Sequence, residues 1–297
     1  MSADNVAAGL GAKATTGAVY VARHIGLLLV PGLQRMLDLP LVYRPLGRVP
    51  RAARALVGWG LKGKFQDAAA LSARVGLPYL AIEDGFLRSV GLGDADPALS
   101  MVVDDVGIYY DATRPSALER LIAAPRSAAS SARGLRIADA WRQGRLSKYN
   151  HAREVPPPVA GPFVLVVDQT FGDTSIELGM ASPASFTRML QAALDEHPTL
   201  PVVLKVHPDV IAGRKRAHFD RLTAGAASRV TLLAGNAHPP GLFEHAAAVY
   251  VVTSQMGFEA LVWGKNVRSF GMPFYAGWGL TKDELARPAR RHIGTPL

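Results

Sequence analysis

Residues 163–169 read Phe163-Val164-Leu165-Val166-Val167-Asp168-Gln169, five apolar residues followed by an abrupt change to polar ones. The pattern recurs. Pro201-Val202-Val203-Leu204-Lys205-Val206 runs into His207-Pro208-Asp209, and Val249-Tyr250-Val251-Val252-Thr253 runs into Ser254-Gln255. A fourth run, Val267-Arg268-Ser269-Phe270, stops at Gly271 and leads into GMPFYAGWG. Short, continuously apolar runs spaced by roughly 40 residues predict buried parallel strands joined by helical crossovers. Such crossovers keep one hand, so the carboxyl ends of the strands share one edge, and open α/β sheets bind ligands there. The carboxylates, the imidazole and the hydroxyl that follow these runs are therefore predicted to converge.

Composition narrows the class. The chain has 297 residues, 49% hydrophobic and 19% charged, which suits a well-cored globular protein of one large or two ordinary domains. It has no cysteine, which excludes disulfides and thiolate chemistry and fits a cytosolic setting. The run Ile25–Val30 is too short to span a bilayer and is closed by Pro31, and no small-residue cleavage site follows it. The formal charge is +9, with Arg44, Arg48, Arg51, Arg54, Lys62 and Lys64 close together near the start. That excess suits an anionic membrane surface or an acidic sugar donor. The arginines are not interleaved with aromatics, so no nucleic-acid partner is expected.

Residues 1–50 give no clear pattern, and 51–75 read as helical. Leu77–Ile82 predicts a strand ending at Glu83-Asp84-Gly85. Helices are predicted over Pro115–Leu121 and Ile137–Lys148. The cluster Pro156-Pro157-Pro158 reads as a linker, so an N-terminal α/β domain at 1–155 and a C-terminal α/β domain at 156–297 are expected. In the second, helices are predicted from Ser182-Pro183 to Glu196, over 214–227, over Gly241–Ala247, and over Gly257–Trp263 with Gly264 as terminator.

Several residues carry candidate chemistry. Ser254 sits between a strand and a helix, where it either caps the helix or donates to a phosphate held by the free amides. Gln255 lies beside it. Glu259 is placed to accept from ribose hydroxyls, or is a plain surface glutamate. His207-Pro208 follows a buried strand, where an imidazole can serve a phosphate or leaving group in either charge state. Lys205 shares the side of His207 if both are extended. Asp168 and Asp173 flank Gln169-Thr170-Phe171-Gly172, and Glu83 and Asp84 come from the other half. Such carboxylates can divide nucleophilic and acid–base roles, or cap loops and helices. Asp104, Asp105 and Asp111 fit turns better than a cation loop, and no metal site is expected.

The longer strings resemble the capsule-polysaccharide Kdo transferases of the KpsC type. They are GWGLKGK at 58–64, EDGFLRSVGLG at 83–93, LSMVVDDVGIYYDATRPS at 99–116, LSKYN at 146–150, VLVVDQTFGDTS at 164–175, KVHPDVIAGRK at 205–215, VTSQMGFEAL at 252–261 and FGMPFYAGWGLT at 270–281. One copy of the motif set is present, more similar to the second module of the two-module members than to the first. The resemblance implies a GT-B-like α/β fold, two Rossmann-like domains facing a cleft, with the acceptor side in 1–155 and the CMP side in 156–297. It implies a retaining β-Kdo transferase that uses CMP-Kdo, needs no further cofactor, and extends a lipid-linked oligo-Kdo acceptor at the inner face of the cytoplasmic membrane. Partners would be that acceptor, the anionic membrane surface, and other capsule biosynthesis and export proteins.

The resemblance also implies residue roles. Asp173 is the catalytic carboxylate, with Asp168 as orienter or donor contact. Glu83 is the base for the acceptor. His207, with Lys205 and Pro208 alongside, and the Ser254–Gln255 helix end hold the departing phosphate. Glu259 takes the ribose, while Arg88 and Gln169 contact substrate. The competing readings are a transferase for another CMP-sugar and a non-catalytic capsule adaptor.

Overall fold

The computed structural model describes residues 17–61, 63–91, 96–206, 210, 216, 218, 219 and 228–293. The chain forms two compact units, residues 1–108 and 109–297. The proline cluster therefore lies inside the second unit, just ahead of its first strand.

The first unit holds a five-stranded sheet. Its strands are β1 (Val19–Ala22), β2 (Leu41–Tyr43), β3 (Ala53–Trp59), β4 (Tyr79–Asp84) and β5 (Met101–Asp104), in the order β2-β1-β3-β4-β5. All pairs are parallel except β4–β5. A short helix α1 (Leu33–Met36) lies between β1 and β2, and α2 (Gly63–Val75) links β3 to β4. Ala55, Val57, Leu80 and Ile82 pack with Phe65 on one face, while Val19, Val21, Val42 and Leu56 form a cluster on the other. The helical reading of 51–75 is thus correct for α2 and wrong for β3. Alternating Ala and Arg is locally compatible with a helix, but Ala53–Trp59 pairs with both β1 and β4, and tertiary pairing overrides propensity.

The second unit begins with α3 (Ala117–Ala123) and α4 (Ala128–Gln143). Its sheet follows: β6 (Phe163–Val167), β7 (Val202–Lys205), β8 (Val230–Leu233), β9 (Ala246–Val251), β10 (Asn266–Ser269) and β11 (Lys282–Asp283), in the order β11-β10-β9-β6-β7-β8. Every pair is parallel. Between the strands lie α5 (Thr174–Leu178), α6 (Pro183–Glu196), α7 (Pro239–His245) and α8 (Gln255–Val262). The four apolar runs are strands, and the helices near 183, 241 and 257 form within two residues of their predicted starts. The helix predicted over 214–227 lies outside the described residues.

Every residue of β6 is buried, as a strand covered on both faces requires. Val164, Val166, Val202, Leu204, Ala248 and Tyr250 alternate onto one face, where α6 covers them with Phe186, Met189, Leu190 and Ala193. That i, i+3, i+4, i+7 spacing is one helical stripe, and each large side chain so buried contributes about 1.5–3 kcal/mol. α6 starts cleanly because Pro183 occupies its first turn and the Ser182 amide donates to Ser185 Oγ at 3.2 Å.

The last described segment is fastened by a buried ion pair. Glu119 in the first turn of α3 accepts from Arg291 Nε at 2.7 Å and from Arg290 Nε at 2.7 Å. Arg291 has no exposed surface, and it also donates to the carbonyls of Pro273 and Ala276 at 2.7 and 2.9 Å. Removing the carboxylate leaves a buried cation without its counter-charge. Glu119→Leu is expected to lower the unfolding free energy by about 3–5 kcal/mol in urea titrations; a loss below about 1 kcal/mol would contradict this account.

Candidate functional site

The parallel order brings the ends of β6, β7 and β9 to one edge. Two residues beyond β9, Thr253 is joined to the end of β6 by an amide clamp. Gln169 Oε1 accepts from Thr253 N at 2.8 Å, and Gln169 Nε2 donates to Thr253 Oγ1 at 2.9 Å. Ser175 Oγ lies 3.2 Å from the same hydroxyl. Gln169 is buried, and both ends of its amide are engaged in this clamp. Asp168 is buried as well, and its carboxylate accepts from Gln169 N at 2.8 Å and His218 N at 3.4 Å. Asp173 is exposed at the start of α5, where its carboxylate caps the helix by accepting from Ser175 N at 2.9 Å.

Ser254 caps α8, accepting from Met256 N at 3.2 Å. The cap is held from behind by Tyr275, whose hydroxyl donates to the Ser254 carbonyl at 2.5 Å. Tyr275 is buried and fills the space beside Gly257, where a Cβ would stand 2.2 Å from its hydroxyl. Gly257 is thus required by close approach and not by its backbone angle.

Glu259 is only 1% exposed. One oxygen accepts from Ser147 Oγ at 2.7 Å; the other accepts from Lys148 N at 3.2 Å and Gln255 Nε2 at 3.4 Å. The surface-glutamate alternative is therefore wrong. Burial pushes its carboxyl up to about 7, against the pull of these hydrogen bonds and of the Lys148 charge. Lys205 is also buried, on the face of β7 opposite Leu204 and the α6 cluster. Burial pushes its ammonium down to about 8, and the Glu259 charge opposes that shift. His207 and Pro208 lie outside the described residues.

In the first unit, Glu83 ends β4 and is buried, accepting from Trp59 Nε1 at 2.9 Å and Asp84 N at 3.1 Å. Arg88 is buried beside Asp84 at 3.1 Å and donates to Ser89 Oγ and the Asp96 carbonyl. Asp104 and Asp111 build turns: the first accepts from Val106 N and Gly107 N, the second from Thr113 N and its hydroxyl. Among the described residues, no group of three or more His, Cys, Asp or Glu side chains could hold a metal ion.

The structure thus assembles Asp168, Gln169, Asp173, Lys205, Ser254, Gln255 and Glu259 within one unit, and Glu83 and Arg88 within the other. Sequence reasoning missed the roles of Ser147, Lys148 and Tyr275. Their only signal was membership of the strings LSKYN and GMPFYAGWG.

The family model described as capsule polysaccharide biosynthesis protein matches residues 54–155 and 130–296. The chain belongs to this family. It is 47% identical over 242 residues to the capsule polysaccharide modification protein LipA of Neisseria meningitidis serogroup B, covering 78% of this chain and 34% of the relative. It is 37% identical to the lipopolysaccharide-processing protein LpsZ of Rhizobium meliloti, covering 80% of this chain and 55% of that one. The chain thus spans about a third to a half of the length of these curated relatives. Among solved structures, the β-Kdo 2,4 transferase of Thermosulfurimonas dismutans KpsC matches with a TM-score of 0.86 and 42% identity, covering 94% of this chain and 88% of that one. The β-Kdo 2,7 transferase of the same KpsC matches with a TM-score of 0.67 and 26% identity, over 93% and 86%. The fold of the family member described here is of the GT-B-like α/β class.

The buried Glu259 gives a pH signature. Its carboxyl titrates near 7 in the folded chain and near 4.3 when unfolded, so the folded state holds the proton more tightly. Its contribution to stability therefore falls as pH rises from about 4.5 to about 7 and stays low above that. Urea unfolding across this range should show the wild type losing stability relative to Glu259→Gln as pH rises. Parallel pH profiles would contradict the assignment.

Proposed function

We propose that this chain is a retaining β-Kdo glycosyltransferase that moves Kdo from CMP-Kdo onto a lipid-linked oligo-Kdo acceptor in capsule biosynthesis. The observation that carries the reading is the match to the β-Kdo 2,4 transferase of KpsC along 94% of the chain. Its higher identity and TM-score, compared with the 2,7 transferase, favour a 2,4 linkage in the product.

In the mechanism we propose, Asp173 attacks the anomeric carbon of Kdo while the bond from that carbon to the CMP phosphate oxygen breaks. An acceptor hydroxyl, its proton taken by Glu83, then displaces the aspartate, so two inversions give retention. The Ser254 end of α8, with His207, steadies the departing phosphate. The second unit, which contains residues 156–297, serves the CMP side, and the first unit serves the acceptor side. Asp168, already receiving two amides, supports the loop that presents Asp173. Glu259 takes ribose hydroxyls once one of its present donors gives way, and Arg88 and Gln169 act from within their hydrogen-bond networks.

Asp173 both caps α5 and is assigned the nucleophilic role, and one substitution separates these. Asparagine caps as well as aspartate but cannot act as the nucleophile. Asp173→Asn should keep the melting temperature within about 2 °C and lower Kdo transfer by about a thousandfold or more. The assay would use CMP-Kdo generated in place and a synthetic β-Kdo acceptor, with the product linkage read by NMR. Near wild-type transfer would remove Asp173 from the role; loss in Asp168→Asn alone would move it there.

The acceptor is proposed to be reached at an anionic membrane surface. Among the described residues no helix is long and apolar enough to cross a membrane. Arg44, Arg48, Arg51 and Arg54 are exposed, and no acidic residue lies between Asp38 and Asp67. Arg48 and Arg51 border a cavity of about 430 Å³ lined with Val49, Leu71, Val75 and Leu77. Each basic side chain near such a surface contributes about 1 kcal/mol, screened within a Debye length. The protein should co-float with phosphatidylglycerol-containing vesicles at low salt and be released at high salt. An active protein that fails to co-float at low salt would point to recruitment by a partner.

A further inference from the structure

The string LSKYN at 146–150 is absorbed by none of the roles above, yet it is held with care. Ser147 is buried, and its hydroxyl and the Lys148 amide both donate to Glu259. Asn150 closes the turn, accepting from Ser147 N at 2.9 Å and donating to the Ser147 carbonyl at 2.8 Å. The backbone is therefore fixed, while the Lys148 side chain stays partly exposed, its ammonium 5.6 Å from the Tyr149 ring centre. Glu259 feels the Lys148 charge, and Lys205 feels the Glu259 charge. Among the described residues neither ammonium makes a hydrogen bond or ion pair. Both ammonium groups thus lie within electrostatic range of one enclosed carboxylate, carried by the eight-residue helix that Ser254 caps. The local charge is positive, and Lys205 is a nearly enclosed cation whose desolvation calls for an anion.

We propose that Lys148, on a loop fixed by Glu259, and the buried Lys205 form an oxyanion site that takes the phosphate of a nucleoside monophosphate group. Lys148 is then a binding residue for the donor, presented by a loop clamped to the helix that meets the same phosphate. This rests on the donor reading given above and names the part of the site that meets its charge. An ammonium suits the task because phosphate is a compact, highly charged acceptor and lysine offers three rotatable donors.

The test separates a charge contact from a structural one. In Lys148→Met the backbone amide still reaches Glu259 and the partly exposed side chain removes no core packing, so the melting temperature should hold. By calorimetry, CMP should bind at least about tenfold more weakly than to wild type, while cytidine should bind equally to both. Lys148→Arg should recover CMP binding to within about threefold, and the salt dependence of CMP binding should be shallower in Lys148→Met. Unchanged CMP affinity in Lys148→Met, or equal losses for CMP and cytidine, would overturn the inference. If the wild type binds no CMP, the donor reading fails on its own. Inorganic phosphate then decides: a phosphate-induced rise in melting temperature that vanishes in Lys148→Met sustains the oxyanion site, and no rise in the wild type overturns it.

Discussion

Parallel pairing of β6 with both β7 and β9 is the constraint on which the second unit depends. A strand paired on both sides and covered on both faces can carry only apolar side chains, and its polar residues are pushed to its ends. With every neighbour running the same way, those ends fall on one edge. Asp168, Lys205 and Thr253 are neighbours there although up to 85 residues separate them in sequence. The Gln169–Thr253 clamp then holds the edge together across strands that have no backbone bonds left to make.

A second layer of order follows from the enclosure of Glu259. A carboxylate removed from water needs donors, and here it draws in the Ser147 hydroxyl and the Lys148 amide from a segment more than a hundred residues earlier. One carboxylate thereby ties a turn to a helix. The same enclosure lifts its proton affinity into the neutral range, so the arrangement is sensitive to pH where an exposed glutamate would not be.

The legibility of the sequence follows the same physics. Fully buried strands leave continuous apolar runs, so β6, β7, β9 and β10 could be read directly, and the edge where they end could be inferred from handedness. β1 and β2 lie in a proline-broken stretch, and β3 carries Arg54 and Gly58 within an Ala-Arg-Ala-Leu pattern that is locally as good a helix as a strand. Only pairing with neighbours settles such segments. At the site, Ser254 as cap was legible because it sits between a strand and a helix. The burial of Glu259 was not, because its donors belong to LSKYN, and no local pattern announces a contact over that distance. Gln169 is a further case: a polar residue after a strand suggests a ligand contact, and no local pattern shows that its amide also engages Thr253.

The packing of Tyr275 against Gly257 couples two positions eighteen residues apart. The ring occupies the volume that any side chain at 257 would need, and its hydroxyl fixes the carbonyl at the head of the helix. Neither position can drift alone: a larger residue at 257 is admissible only with a smaller one at 275, and that exchange would release the helix head. Across related chains the two positions should therefore change as a pair or not at all, a covariation set by excluded volume.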